Sequence, residues 1–200
     1  MFNGEDVNYA DKHKIINGRK YHNEDLLYYL PNDDEEIDKN YLEHNMLRYV
    51  WQGNFSSKIQ ERLIKGNTRV IDIGCGSGQW LIDMSLKYSS STFIGIDVCP
   101  ATFPSEPDNV AFLQHNLLDH PGIPFPDRIF DFVFLRIVSF DVINGWPHVI
   151  NEMVRVANSN GCIEIANYDL DKDTYHGALG RLHSASMFHS LAFSILSSLL

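Results

Sequence analysis

Three glycines spaced two residues apart, Gly74, Gly76 and Gly78, constrain what this chain can fold into more than any other feature. They follow the β-branched run Arg69–Ile73 and precede a helical pattern that opens at Gln79 and Trp80, within RVIDIGCGSGQW. A strand, a tight turn and a helix N-terminus in that order make the local geometry of a nucleotide-cofactor site, because free backbone N–H groups and the helix dipole meet the ligand there. Glycine reaches positive φ and carries no Cβ, so the turn can pass close beneath what it binds. The dinucleotide fingerprint G-x-G-x-x-G places its third glycine five positions after the first, and here that position is Gln79. This weakens a nicotinamide-dependent oxidoreductase reading; a plain glycine turn between strand and helix is the remaining alternative.

Downstream, short apolar runs alternate with helical patterns, as in a parallel α/β sheet. TFIGIDV, Thr92 to Val98, is a strand ending in an acid. Asp97 follows Gly78 at close to the roughly 20-residue interval at which a strand-end carboxylate meets ribose hydroxyls. Its other reading is a turn cap ahead of Cys99 and Pro100. Asn109 to Asp119 supplies a third strand and then Asn116 and Leu117, which read either as an adenine contact or as a loop amide and a core leucine. Phe130 to Arg136 is nearly continuous in apolar residues, as expected of a strand buried on both faces, and its carboxyl end from Arg136 to Ser139 opens into the crevice of Asp72. Trp146 to Val156 carries Val149, Ile150, Met153, Val154 and Val156 at helical spacing, with Trp146 read as packing and Arg155 as surface. GCIEIAN, Gly161 to Asn167, is the fifth strand.

Upstream, Met1 to about Ile37 reads as polar and irregular. Asn32 or Asp33 caps a helix whose first turn holds Asp34, Glu35 and Glu36, where negative charge meets the positive end of the dipole. That helix runs to about Val50, and a second, Ser56 to Lys65, stops at Gly66. The division is therefore a leading segment (1–37), lid helices over the crevice (38–66) and a cofactor-binding unit (67–200), in one structural domain overall. His44, alone on the first helix, reads as packing or surface rather than as a catalytic group.

The G-x-G-x-G form preceded by Asp72 resembles motif I of the class I S-adenosylmethionine-dependent methyltransferases, and the chain resembles more closely the fungal LaeA-like family among them. The likeness rests on Arg19 and Tyr21, on YYLPNDDEE from Tyr28 to Glu36, on His44, and on Trp80 trailing motif I. It extends to PFPDRIFDFVFLR, Pro124 to Arg136, and WPHVINEMVRV, Trp146 to Val156. The resemblance implies an α/β, Rossmann-like three-layer sandwich with a mostly parallel central sheet. It implies S-adenosyl-L-methionine as cofactor and an unidentified small-molecule or protein methyl acceptor. In that reading Asp72, Gly74, Cys75, Gly76 and Gly78 hold the methionine end, Asp97 the ribose, and Val98, Asn116 and Leu117 the adenine, with Arg136 at the crevice. No metal is expected, and among His44, Arg136, Ser139 and Asp141 none is singled out as catalytic. A catalytically weak or inactive cofactor-binding regulator, a scaffold for a protein partner, is the alternative function. Relatives continue from the Trp146 helix with Leu-Lys-Pro-Gly-Gly, whereas this chain has Ala157 to Gly161, ANSNG. The stretch after Asn167 is short for the two strands that complete such a sheet, so the sheet is expected to lack them.

Two hundred residues fit one α/β unit. A net charge of −10 without a basic cluster argues against direct nucleic-acid binding. Cys75, Cys99 and Cys162 lack metal-ligand spacing and read as reduced thiols of a cytoplasmic or nuclear protein, with no signal peptide expected. From Ala185 to Leu200, Phe188, Leu191, Ala192, Ile195, Leu196 and Leu199 share a helical face in a stretch short of the about 20 residues of a membrane span. It reads as a helix laid on the sheet or an interaction surface.

Overall fold

The computed structural model describes residues 13–22, 30–99, 106–119, 121–138, 145–168 and 188–194. Its centre is a six-stranded sheet in the order β5-β4-β3-β6-β7-β8. The strands are β3 (Arg69–Ile73), β4 (Thr92–Asp97), β5 (Val110–Gln114), β6 (Phe130–Arg136), β7 (Ala157–Tyr168) and β8 (Phe188–Ser194). The first five pair in parallel and β8 runs antiparallel to β7. Every residue of β6 except Arg136 is buried, which is why that strand lacks the polar alternation of a half-exposed one.

Alternating side chains of the sheet feed two cores. Ile71, Ile73, Val133, Leu135 and Ile163 pack with Val149, Met153 and Val156 of helix α4 (Trp146–Val156) on one face. Val70, Phe93, Phe132 and Phe134 pack with Trp80, Leu81 and Met84 of α3 (Gln79–Lys87) and with Leu63 of α2 (Gln60–Lys65) on the other. Period-two strands between two helical layers give the three-layer sandwich. Because β4 and β5 lie to one side of β3 and β6 and β7 to the other, the chain reverses its winding between β3 and β6. In open α/β sheets ligands bind in the crevice at the carboxyl ends of such strands.

Helix α1 (Asp34–Val50) is capped by Asp33, whose carboxylate accepts the Glu36 N–H at 3.1 Å. Helix α2 is shorter than expected and starts at Gln60, since Ser56 and Ser57 are held outside it by Glu164 of β7. That buried carboxylate accepts the Ser56 N–H and hydroxyl, both at 2.9 Å, and the Ser57 N–H at 2.9 Å.

Four readings of the sequence are corrected. The leading segment is not irregular throughout: β1 (His13–Ile16) and β2 (Arg19–His22) form an antiparallel hairpin around Asn17 and Gly18, at φ 51° and 82°. Asn-Gly is the pair that a two-residue hairpin turn demands, so the signal was in the sequence. Within the expected C-terminal helix, Phe188–Ser194 is strand β8, and so one of the two strands expected to be missing is present. A short apolar run fits a strand as well as a helix, and the open edge of β7 decides between them by offering unpaired N–H and C=O groups. The fifth strand does not begin at Gly161: the preceding ANSNG stretch is already part of β7, with Asn158 Oδ1 accepting the Asn160 N–H at 3.0 Å. Arg155 is partly exposed but does more than face solvent: it donates to Glu152 at 2.7 and 2.8 Å and to the carbonyls of Ile123 and Phe125 at 2.7 and 2.8 Å, clamping the loop before β6 to α4.

Candidate cofactor site

The turn after β3 is built from its own backbone. Gly74, Gly76 and Gly78 stand at φ 71°, 53° and 71°, in the left-handed region that side chains disfavour. Gly74 and Cys75 donate their N–H groups to the Ile96 carbonyl at 2.8 and 3.1 Å, tying the turn to β4. Asp97, at the end of β4, closes the arrangement: Oδ2 accepts the Gly76 N–H and Oδ1 the Cys99 N–H, each at 2.9 Å. A Cβ on Gly76 would meet only Asn40 Nδ2, at 3.8 Å, so its side faces open space.

Two carboxylates and one guanidinium set the field. Asp72 is 4% exposed, and burial pushes its carboxyl up to about 7; nearby Asp97 adds to the rise and Arg136 opposes it. Asp97 is also raised by burial, against the N–H groups of Cys99 and Gly76 that favour its charged form. The Cys75 and Cys99 thiols are raised by burial, and Asp97 adds to both. Burial lowers His22 and His44, keeping both imidazoles neutral at pH 7.

Three elements converge on Arg136. His44 of α1 accepts from Arg136 Nη2 at Nδ1, 2.9 Å away, and its Nε2 lies 3.0 Å from Asp83 Oδ2 of α3. A guanidinium only donates, so Nδ1 must carry the lone pair and Nε2 the proton given to Asp83. Arg48 pairs with the same Asp83 oxygen. Trp80 stacks on Phe134 with centroids 4.1 Å apart and donates its indole N–H to the Asn54 carbonyl at 2.7 Å, fixing the segment between α1 and α2 over the sheet. The hairpin reaches the other side of the crevice. Asp33 accepts from Arg19 at 2.7 and 2.8 Å, and neighbouring Asn32 donates to Cys99 Sγ at 3.7 Å, beside Asp97.

The carboxyl ends of β3, β4 and β6 thus bring together Asp72, the glycine turn with Cys75, Asp97 and Arg136. Val98 lies in the turn after β4, where its carbonyl accepts from Gln114 Nε2 at 2.8 Å. Asn116 spends its amide locally, donating to Asp119 at 3.0 Å and accepting the Leu118 N–H at 3.1 Å, and Leu117 is buried in the core on the α4 face. Ser139 and Asp141 lie outside the described residues. Sequence reasoning missed Asn32, Asn40 and Asp83 as neighbours of the site, and no spacing rule points to them. Only the packing of α1 and the hairpin brings them there.

Residues 64–189 match the methyltransferase domain family. The chain belongs to that family. Among curated relatives it is 28% identical over 160 residues to the secondary metabolism regulator laeA of Aspergillus niger, covering 78% of this chain and 40% of that protein. It is 30% identical over 138 residues to the protein-methionine methyltransferase laeA of Emericella nidulans, covering 66% of this chain and 34% of that protein. The chain therefore spans well under half the length of these relatives. Among solved structures, the plantazolicin methyltransferase BpumL, in complex with a desmethylPZN analog and SAH, superposes with a TM-score of 0.54 at 20% identity, over 76% of this chain and 59% of that one. A SAM dependent methyltransferase from Aquifex aeolicus gives 0.52 at 19% identity, over 82% of this chain and all of that one. These likenesses show the methyltransferase fold. Among the described residues no helix is long and apolar enough to cross a membrane.

Proposed function

We propose that this methyltransferase-family chain binds S-adenosylmethionine at the carboxyl ends of β3, β4 and β6 and transfers its methyl group to a protein or small-molecule acceptor, in the cytoplasm or nucleus. The observation that carries the reading is the left-handed glycine turn between a buried Asp72 and α3, closed by Asp97 on the Gly76 N–H. The residues present fit the group: a turn without Cβ atoms on its open side, a buried acid for an ammonium, and a second acid for vicinal hydroxyls. Each Asp97 oxygen already accepting one N–H keeps a lone pair for a ribose O–H. Val98 and the turn at Asn116 and Leu117 stand at the adenine end.

When bound, the cofactor would supply an activated sulfonium methyl whose carbon an acceptor attacks in line, with the thioether as leaving group. The protein's share is then orientation and exclusion of water rather than covalent catalysis. Asp72 anchors one end, Asp97 the other, and the crevice between α1 and the sheet is where an acceptor approaches. A relative named a protein-methionine methyltransferase supports a protein acceptor, and relatives named regulators support a second reading in which the site serves a regulatory scaffold. Calorimetric titration with S-adenosylmethionine, S-adenosylhomocysteine and NAD tests the binding step: both adenosyl ligands bind in the micromolar range and NAD does not. A folded chain that binds neither adenosyl ligand overturns the reading. Labelled methyl transfer to a protein extract then separates enzyme from scaffold.

A further inference from the structure

The amino ends of β3 and β6 border a cleft of about 520 Å³, lined among others by Arg62 and Lys65 of α2, Asn67, Arg69 of β3 and Asp131 of β6. It lies at the opposite end of the sheet from the glycine turn, roughly 16 Å away at about 3.3 Å for each residue from Arg69 to Gly74. We infer that this cleft docks an acidic segment of a protein partner, whose carboxylates are held by Lys65, Arg69 and the Asn67 amide. The docking stands or falls independently of the cofactor reading.

The chain carries 26 acidic against 16 basic residues, so a surface where three cations meet one carboxylate runs against its overall charge. That carboxylate is already answered. Asp131, 6% exposed, accepts from Arg62 Nη2 at 2.5 Å, from the Arg69 N–H at 2.8 Å and from Asn158 Nδ2. Arg62 also donates to the Asn160 carbonyl at 2.8 Å, so it and Asp131 build the frame of the cleft. Lys65, Asn67 and Arg69 are exposed, and among the described residues their side chains hold no ion pair or hydrogen bond. The backbone beneath them is fixed, with the Asn67 N–H on the Ser90 carbonyl at 2.7 Å. The negative end of α2 favours a cation at Lys65, but Arg69 opens a strand and gains nothing from that dipole. An exposed ion pair contributes little against water and salt, so a lone small anion is not retained there. Several carboxylates on one chain are retained, because pairing the first holds the others at high local concentration. A long polyanion such as a nucleic acid is repelled by the net charge of −10 before it reaches so small a patch. A short run of Asp or Glu on a protein is what matches the cleft.

The test uses a fluorescein-labelled hexaglutamate peptide on the full chain, followed by fluorescence anisotropy at low salt, with hexaglutamine as the neutral control. Hexaglutamate should bind and hexaglutamine should not. Lys65→Gln and Arg69→Gln should each weaken hexaglutamate about two- to fivefold, and the two together about tenfold or more, the range of exposed charge pairs. Both side chains are exposed, so these variants should melt with the wild type. Lys39→Gln, which removes an exposed cation of α1, should leave the affinity unaltered. An equal loss in Lys39→Gln would mean that the peptide follows net charge alone, and overturns the site. Displacement of the labelled peptide by octathymidylate or inorganic phosphate, at concentrations no higher than unlabelled hexaglutamate needs, overturns the choice of a protein segment. A wild-type chain that binds S-adenosylhomocysteine but not hexaglutamate overturns the docking and leaves the cofactor reading intact.

Discussion

At Asp72, folding and the proposed cofactor binding pull in opposite directions. Its ordinary value is 3.8 and the fold raises it to about 7, so the native state holds the proton more tightly than the unfolded chain. The stabilising effect of that proton is full below about pH 4 and is lost as pH rises towards about 7, where a buried charge is left behind. Asp72→Asn, which cannot ionise, should therefore gain stability relative to wild type as pH rises from about 4.5 to about 7.5 in urea unfolding; a difference that stays flat would mean the carboxylate is not buried as described. A cationic ligand reverses the preference, and S-adenosylmethionine affinity should rise with pH through about 7 in wild type more steeply than in the asparagine variant. Gly76 offers the complementary test. Its φ of 53° makes alanine cost about 1–2 kcal/mol, but no atom besides Asn40 Nδ2 lies within 4 Å of the added Cβ. Gly76→Ala should fold and yet lose cofactor affinity by about tenfold or more, since only a ligand passing over the turn would meet the new methyl. Undiminished affinity would take the turn out of the site.

At the scale of elements, the helices over the crevice are fastened to the sheet by a few buried polar groups rather than by apolar area alone. Glu164, 1% exposed on β7, is the acceptor for two backbone N–H groups and a hydroxyl of the Ser56–Ser57 segment. Glu164→Ala strands those donors and should cost about 1–3 kcal/mol, read as a melting temperature lower by about 2–4 °C for each kcal/mol. A melting temperature unchanged by calorimetry would mean that water replaces the carboxylate there. The hairpin is fastened likewise, through the paired contacts of Arg19 with Asp33, which also caps α1. One aspartate therefore fixes both the strand pair beside Asp97 and the helix that carries Asn40 and His44. Arg155 does the same work for the loop before β6, with the burial of Ile123 following from it.

For the whole molecule, the decisive feature is the reversal of strand order between β3 and β6, which opens a crevice where neighbouring loops diverge. β8 extends the sheet on the other side, pairing with β7 from Cys162 opposite Ser194 to Tyr168 opposite Phe188. Without it the inner groups of β7 would face outward as an open edge. A chain ended at Tyr168 should associate more strongly than the full chain in light scattering at matched concentration; identical mass for the two would show that the β7 edge is protected by other means.

Periodicity and turn chemistry are local, and they made the parallel strands, α1, α3, α4 and the glycine turn legible in the sequence, because each is specified by residues within a few positions of one another. The acid at the end of β4 was legible for the same reason, its distance from the glycines being set by one helix and one strand. Asn17-Gly18 is a signal of the same kind and marks the hairpin within a segment that otherwise reads as irregular. What the sequence could not contain was partnership across the fold. Asn116 and Leu117 follow β5 as the sequence indicates, yet whether an amide closes its own turn and a leucine enters the core depends on the surfaces they meet. The tail carries a pattern that suits a helix, and the open edge of β7 made part of it a strand. His44 is the lone histidine of α1, and the packing of α1 against α3 and β6 sets it between Asp83 and Arg136. Local steric preference wrote the elements into the sequence, whereas the hydrogen bonds and charges that make the site join residues far apart along the chain, and only folding sets the distances at which they act.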